Sequence, residues 1–152
     1  MPFGRRLFLH GTAAAASLLA VPRAILAAAW PEKAFSASVA SQAMIELFGT
    51  DQTTASAAIS LTAPEVAENG AVVPVSVKTT LDNVSSVSIL VAKNPRPLAI
   101  SFDIPPGTLP DVSCRIKMGQ TSQVMAVVLT DSGLYSTSRE VRVTVGGCGG
   151  WV

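Results

Sequence analysis

The sequence predicts an antiparallel β-sandwich of immunoglobulin-like type, with about seven strands, one N-terminal helix and a flexible glycine-rich C-terminal arm. Three observations lead there. From residue 59 to residue 145 apolar side chains alternate with polar ones, which is the period of a strand with one face in water. Turn chemistry interrupts the alternation at short intervals, at Asn94-Pro95-Arg96-Pro97, Pro105-Pro106-Gly107, Met118-Gly119 and Asp131-Ser132-Gly133. No helical period separates the runs, and strand after strand without intervening helices points to antiparallel pairing.

The chain begins with Arg5-Arg6-Leu7-Phe8-Leu9, continues through a small apolar run and reaches Ala27-Ala28-Ala29. A cationic start, a short apolar middle and an A-x-A end describe a secretory signal peptide, and the paired arginines describe export by the twin-arginine route to the periplasm. Pro22 and Arg23 interrupt the apolar run. A spanning helix needs about 20 continuous apolar residues, so an N-terminal anchor is the weaker reading and no membrane association is expected. The expected domains are therefore a signal peptide over 1–29, a domain of helix plus sandwich over 30–145, and an arm over 146–152.

Residues 35–48 space Phe35, Val39, Met44, Ile45, Leu47 and Phe48 at a helical period, and Gly49 closes the helix. Strands follow at Ile59-Ser60-Leu61, then Val73 to Lys78, where Pro74 cannot donate to a ladder and marks an edge strand. Val87, Ile89 and Val91 form the next, and Leu98, Ile100, Phe102 and Ile104 the one after. Residues 112–117, 123–130 and 134–145 complete the set.

With 152 residues there is length for one domain and its core. The net charge of +1 and the lack of a basic run exclude nucleic acid as an expected partner. Beyond residue 29 there are 8 basic and 10 acidic residues and no histidine, since His10 lies in the leader. A Ser-His-Asp or Cys-His nucleophile therefore lacks its base, and Cys114 and Cys148 alone cannot make a four-ligand metal site.

The chemistry gathers at the end, Gly146-Gly147-Cys148-Gly149-Gly150-Trp151-Val152. Four glycines cost about 0.5–1 kcal/mol each in a regular element, so the segment reads as an arm outside helix and strand. An extended arm carries Cys148 roughly 10 Å beyond Val145 on a backbone without side-chain width, a shape suited to a narrow pocket on another protein. Two other readings stay open on the residues alone: a disulfide between Cys148 and Cys114, and a glycine-rich terminus without a role. Cys114 alternates with Val112 and Ile116 and reads as a small side chain in or near the core. No lysine or arginine follows Arg142, so the arm supplies no cation of its own to lower the thiol pKa.

Together, the twin-arginine leader, Asn94-Pro95-Arg96-Pro97, Arg115-Ile116-Lys117-Met118-Gly119-Gln120-Thr121-Ser122 and the run from Glu140 through Val145 into Gly146-Gly147-Cys148-Gly149-Gly150 resemble the SoxY family, over roughly residues 55–150. The resemblance implies a covalent sulfur carrier of periplasmic thiosulfate oxidation rather than an enzyme. Cys148 would be the attachment site, and Gly146, Gly147, Gly149 and Gly150 would give the arm its freedom. It further implies no cofactor on this chain; haem, manganese and molybdenum would belong to partners. Those partners are a SoxZ-like subunit in a heterodimer, a SoxAX-like c-type cytochrome that conjugates thiosulfate to the cysteine as an S-thiosulfonate, and a SoxB-like manganese hydrolase that releases sulfate. In some organisms a SoxCD-like sulfane dehydrogenase joins them. Trp151-Val152 departs from the family pattern, which ends at the second glycine pair. The competing class is a periplasmic binding or structural module with an inert or disulfide-bonded tail, in which Cys148→Ser would change nothing. A free-standing redox enzyme would want a resolving cysteine closer than Cys114.

Overall fold

The structure, a computed structural model, describes residues 30–145, 150 and 151. In the unit that begins at Pro31, two short helices precede the strands: α1 (Glu32–Ser36) and α2 (Ala40–Phe48). Seven strands follow the expected order, β2 (Ile59–Thr62), β4 (Val73–Thr79), β5 (Val84–Val91), β6 (Leu98–Asp103), β7 (Asp111–Ile116), β8 (Ser122–Thr130) and β9 (Gly133–Val145). Three two-residue pieces, β1 (Thr54–Ala55), β3 (Val66–Ala67) and β10 (Gly150–Trp151), attach to β9. The larger sheet runs β1-β9-β8-β5-β6 and the smaller one β2-β4-β7. Pairing is antiparallel except where β1 and β3 lie parallel to β9.

Period-two alternation explains how the sheets meet. Val73, Val75 and Val77 of β4 pack in one buried cluster with Val87, Ile89 and Val91 of β5 and Val124, Ala126 and Val128 of β8. At about 25 cal/mol per Å² of apolar area removed from water, this cluster is the main source of stability. The smaller sheet keeps its other face wet, with Ser76 bonded to Ser113 and Lys78 paired with Asp111. One wet face does not extend to β5, where the last six residues are all buried. Leu90, with Leu98, Val127 and Leu134, forms a second cluster under Ala34, Ala37, Ala43 and Met44 of the helical segment. The helices thus make a third layer.

The expected single helix over 35–48 is instead two. The chain leaves the helical region at Ala37 (ψ 140°) and Val39 (ψ 137°), while the Ser36 hydroxyl donates to the Glu32 carbonyl at 2.8 Å. Ala34 and Ala43, nine residues apart, would point to opposite sides of one continuous helix at about 100° per residue; the break lets both face the sheet. Gly49 closes α2 as expected, left-handed at φ 79°.

Pro74 also needs a correction, because β4 is the middle strand of its sheet. Its pairing with β2 covers only residues 76–79, so at Pro74 the strand has a neighbour on one side alone, Arg115 of β7. The missing N–H sets the local pairing, not the strand's place.

The hairpins sort the loops into two ends. Segments 63–72, 92–97 and 117–121 share one end with the finish of β9, while 80–83, 104–110 and 131–132 share the other. With 13 residues in β9, these ends stand about 40 Å apart.

Candidate functional site at the finish of the last strand

Cys148, Gly146, Gly147 and Gly149 lie outside the described residues, and what the structure shows of the site is the ground on which they stand. That ground is the final stretch of β9. Val66 and Ala67 of β3 lie beside Arg142 and Val143 in parallel register. The Arg142 N–H donates to the Glu65 carbonyl at 3.0 Å, and its guanidinium meets the Glu65 carboxylate at 2.7 Å. The Val143 N–H donates to the Thr121 hydroxyl at 3.0 Å, one residue beyond the reach of β8, whose ladder ends at Ser122 opposite Val141.

Thr121 belongs to a second layer of fixation. The Asn94 side chain spans the neighbouring loop, donating to the Lys117 carbonyl at 2.7 Å and accepting from the Gly119 N–H at 3.1 Å. Gln120 donates to the Lys93 carbonyl, and the Lys93 N–H donates to the buried Ser122 hydroxyl at 3.0 Å. The segments 94–97 and 115–122 therefore interlock as one rigid tip. Gly70 closes the layer: its carbonyl accepts from the Met118 N–H at 2.7 Å, and a side chain there would collide with the Met118 carbonyl and Val143 Cγ1.

Both segments stand out in the sequence, but their interlocking does not. Asn94, Thr121, Glu65 and Gly70 carry no sequence signal as site residues; an asparagine before a proline and a glycine after Asn69, which reads as an ordinary turn, are too common for spacing alone to single them out.

Gly150 and Trp151 pair antiparallel with Val145 and Thr144. The expectation that none of the arm's glycines joins a strand is thus corrected at Gly150, whose backbone meets strand-end groups that would otherwise turn to water. The domain division at 145/146 accordingly has a short strand on its far side.

Cys114 sits on β7 opposite Val75, half-buried against the sandwich core as a free thiol. Burial pushes its pKa up, which favours the neutral thiol over the thiolate. Among the described residues no three His, Cys, Asp or Glu side chains gather as a metal site would require, and no helix is long and apolar enough to cross a membrane. An open cavity of about 630 Å³ lies at the opposite end, between Leu81, Asn83, Pro106 and Leu109. It is remote from the finish of β9.

These features define a helix-covered β-sandwich that anchors a cysteine-bearing C-terminal segment on its last strand. The family described as sulfur oxidation protein SoxY matches residues 44–148, a span that ends on Cys148, and the chain belongs to that family. A solved structure, the sulfur carrier protein SoxY from Chlorobium limicola f thiosulfatophilum, is 41% identical, covers 68% of this chain and 94% of its own, and superposes with a TM-score of 0.62. A superoxide reductase (neelaredoxin) from Ignicoccus hospitalis is 18% identical over 60% of this chain and 81% of its own, with a TM-score of 0.52, and shows the shared fold alone. No curated protein matches the chain.

Proposed function

We propose that this protein is a periplasmic sulfur carrier that holds thiosulfate-derived intermediates covalently on Cys148 and presents them to partner enzymes. The observation that carries the reading is the family match that runs through the sandwich to Cys148, together with a 41% identical relative that is itself a sulfur carrier. The leader over 1–29 supports export by the twin-arginine route.

In the chemistry proposed, the Cys148 thiolate and thiosulfate form one S–S bond and give up two electrons, one at a time, to a haem-containing c-type cytochrome partner. The product is a cysteine S-thiosulfonate. Water then cleaves the bond to the terminal sulfonate on a manganese hydrolase partner, releasing sulfate and two protons and leaving a persulfide on the cysteine. A molybdenum and haem partner, where one is present, oxidises that sulfur further. A SoxZ-like subunit completes the carrier as a heterodimer. This chain contributes a nucleophile and its placement: Cys114, half-buried and with its pKa raised by burial, leaves the chemistry to Cys148.

The reading is tested by the mass of the protein taken from its own periplasm, before and after thiol reduction. Reducible additions on Cys148 support it; an inert Cys148, with function kept in Cys148→Ser, would sink it.

A further inference from the structure

Charge is distributed unevenly along the sandwich. The end where β9 finishes carries Lys93, Arg96 and Lys117 on its interlocked loops, with Arg115 near the finish of β7 and Arg142 near that of β9, against Glu65 and Glu68; Arg139 and Glu140 lie midway along β9. The opposite end carries Asp82, Asp103, Asp111 and Asp131 against Lys78 alone. A chain with more acid than base beyond residue 29 therefore presents a positive end and a negative one.

The positive end has a focus. Lys93, Arg96 and Lys117 are all exposed, and none forms an ion pair with another described residue, whereas Lys78 and Arg142 are each neutralised by a carboxylate. Asn94, between them, holds the Lys117 carbonyl, and Gln120 holds the Lys93 carbonyl, so the three cations stand on one rigid tip. From the same tip Thr121 holds Val143, two residues before the end of β9.

We propose that Lys93, Arg96 and Lys117 form a docking surface for an acidic face on partner proteins, beside the point where the cysteine-bearing segment leaves the body. This rests on the carrier reading and adds a recognition element to it. A surface of this kind steers encounter and raises the association rate, and it orients the body so that the end of β9 faces the partner.

The test uses Lys93→Glu, Arg96→Glu and Lys117→Glu in one chain, with Asp82→Asn and Asp131→Asn as the control at the far end. None of these side chains makes the hydrogen bonds of the tip, because Lys93 and Lys117 contribute only backbone groups to it. Thermal melting verifies that both variants fold. The first probe is immobilised poly-L-glutamate at low salt: the unaltered protein is retained despite its acidic balance, the control is retained, and the triple variant flows through. The second is the rate at which the c-type cytochrome loads thiosulfate onto Cys148. The triple variant should lose at least tenfold at low salt, and the gap should close as salt rises. Equal retention and equal loading rates in all three proteins would overturn the docking surface. Failure of the carrier reading is distinguishable, because Cys148 would then take no sulfur in any variant while retention on poly-L-glutamate still followed charge.

Discussion

The Thr121 hydroxyl accepts the N–H of Val143 at 3.0 Å, and that bond holds the end of the last strand to a loop fixed in turn by Asn94. Val143 is buried, and β8 no longer reaches it as a ladder partner. Replacing the hydroxyl leaves a buried donor unsatisfied, a loss of about 1–3 kcal/mol. Thr121→Val should therefore lower stability by that amount in urea, while Thr121→Ser, which keeps the oxygen, stays near the unaltered protein. An unchanged urea midpoint in Thr121→Val would show that the hydroxyl does not hold the strand end.

Gly70 has no room for a side chain. Its Cβ would collide with the backbone carbonyl of Met118 and the side chain of Val143, and a backbone carbonyl held by the fold cannot swing aside cheaply. Gly70→Ala should cost about 1–3 kcal/mol, read as a lower urea midpoint with the slope unchanged. A neutral outcome would mean that the loop over residues 68–72 moves as a unit.

The two cysteines should separate by reactivity. Cys114 is half-buried and its pKa lies above the ordinary thiol value because burial disfavours the thiolate. Under native conditions its alkylation should be slow at neutral pH and rise only as pH climbs past the range of a free thiol. Its linkage sign follows: the folded state favours the protonated thiol, so this contribution is complete below the unfolded pKa. It is lost as pH rises from there through the higher folded pKa. Cys114→Ala should remove that alkaline loss. Measuring urea stability on both sides of the thiol range decides the matter; an identical alkaline fall in the variant would show that Cys114 is not its source.

Strand β10 ties residues 150 and 151 to the end of β9. Removing Trp151 and Val152 should speed amide hydrogen exchange at residues 144 and 145 and leave global stability within about 1 kcal/mol, since two residues of pairing contribute little. Unchanged exchange would show that the pairing protects nothing in solution.

Much of this is legible in the chain and some is not, for physical reasons. Alternation finds all seven principal strands because each has at least one face in the core, and the left-handed Gly49 stops the helix where its residue type says it should. The break at residues 37–39 is hidden because the spacing is helical locally on each side, Phe35 with Val39 and Met44 with Leu47 and Phe48; only the demand that Ala34 and Ala43, nine residues apart, face one sheet reveals it. Pro74 misleads because a missing N–H reports one neighbour at one residue, not the neighbours of a whole strand. At the site, Cys148 stands out because four glycines around one thiol are rare chemistry. Asn94 and Thr121 do not, since a hydrogen bond across 23 or 22 residues leaves no local pattern.

Whether Cys148 carries sulfur is tested most directly by the intact mass of the protein isolated from its own periplasm without reductant. The expected result is reducible additions of about 32 or 112 Da, one sulfur or a thiosulfate-derived group, localised to Cys148 and absent from Cys148→Ser. An unmodified mass during thiosulfate oxidation, or a loss of about 2 Da from a Cys114 to Cys148 disulfide, would contradict it.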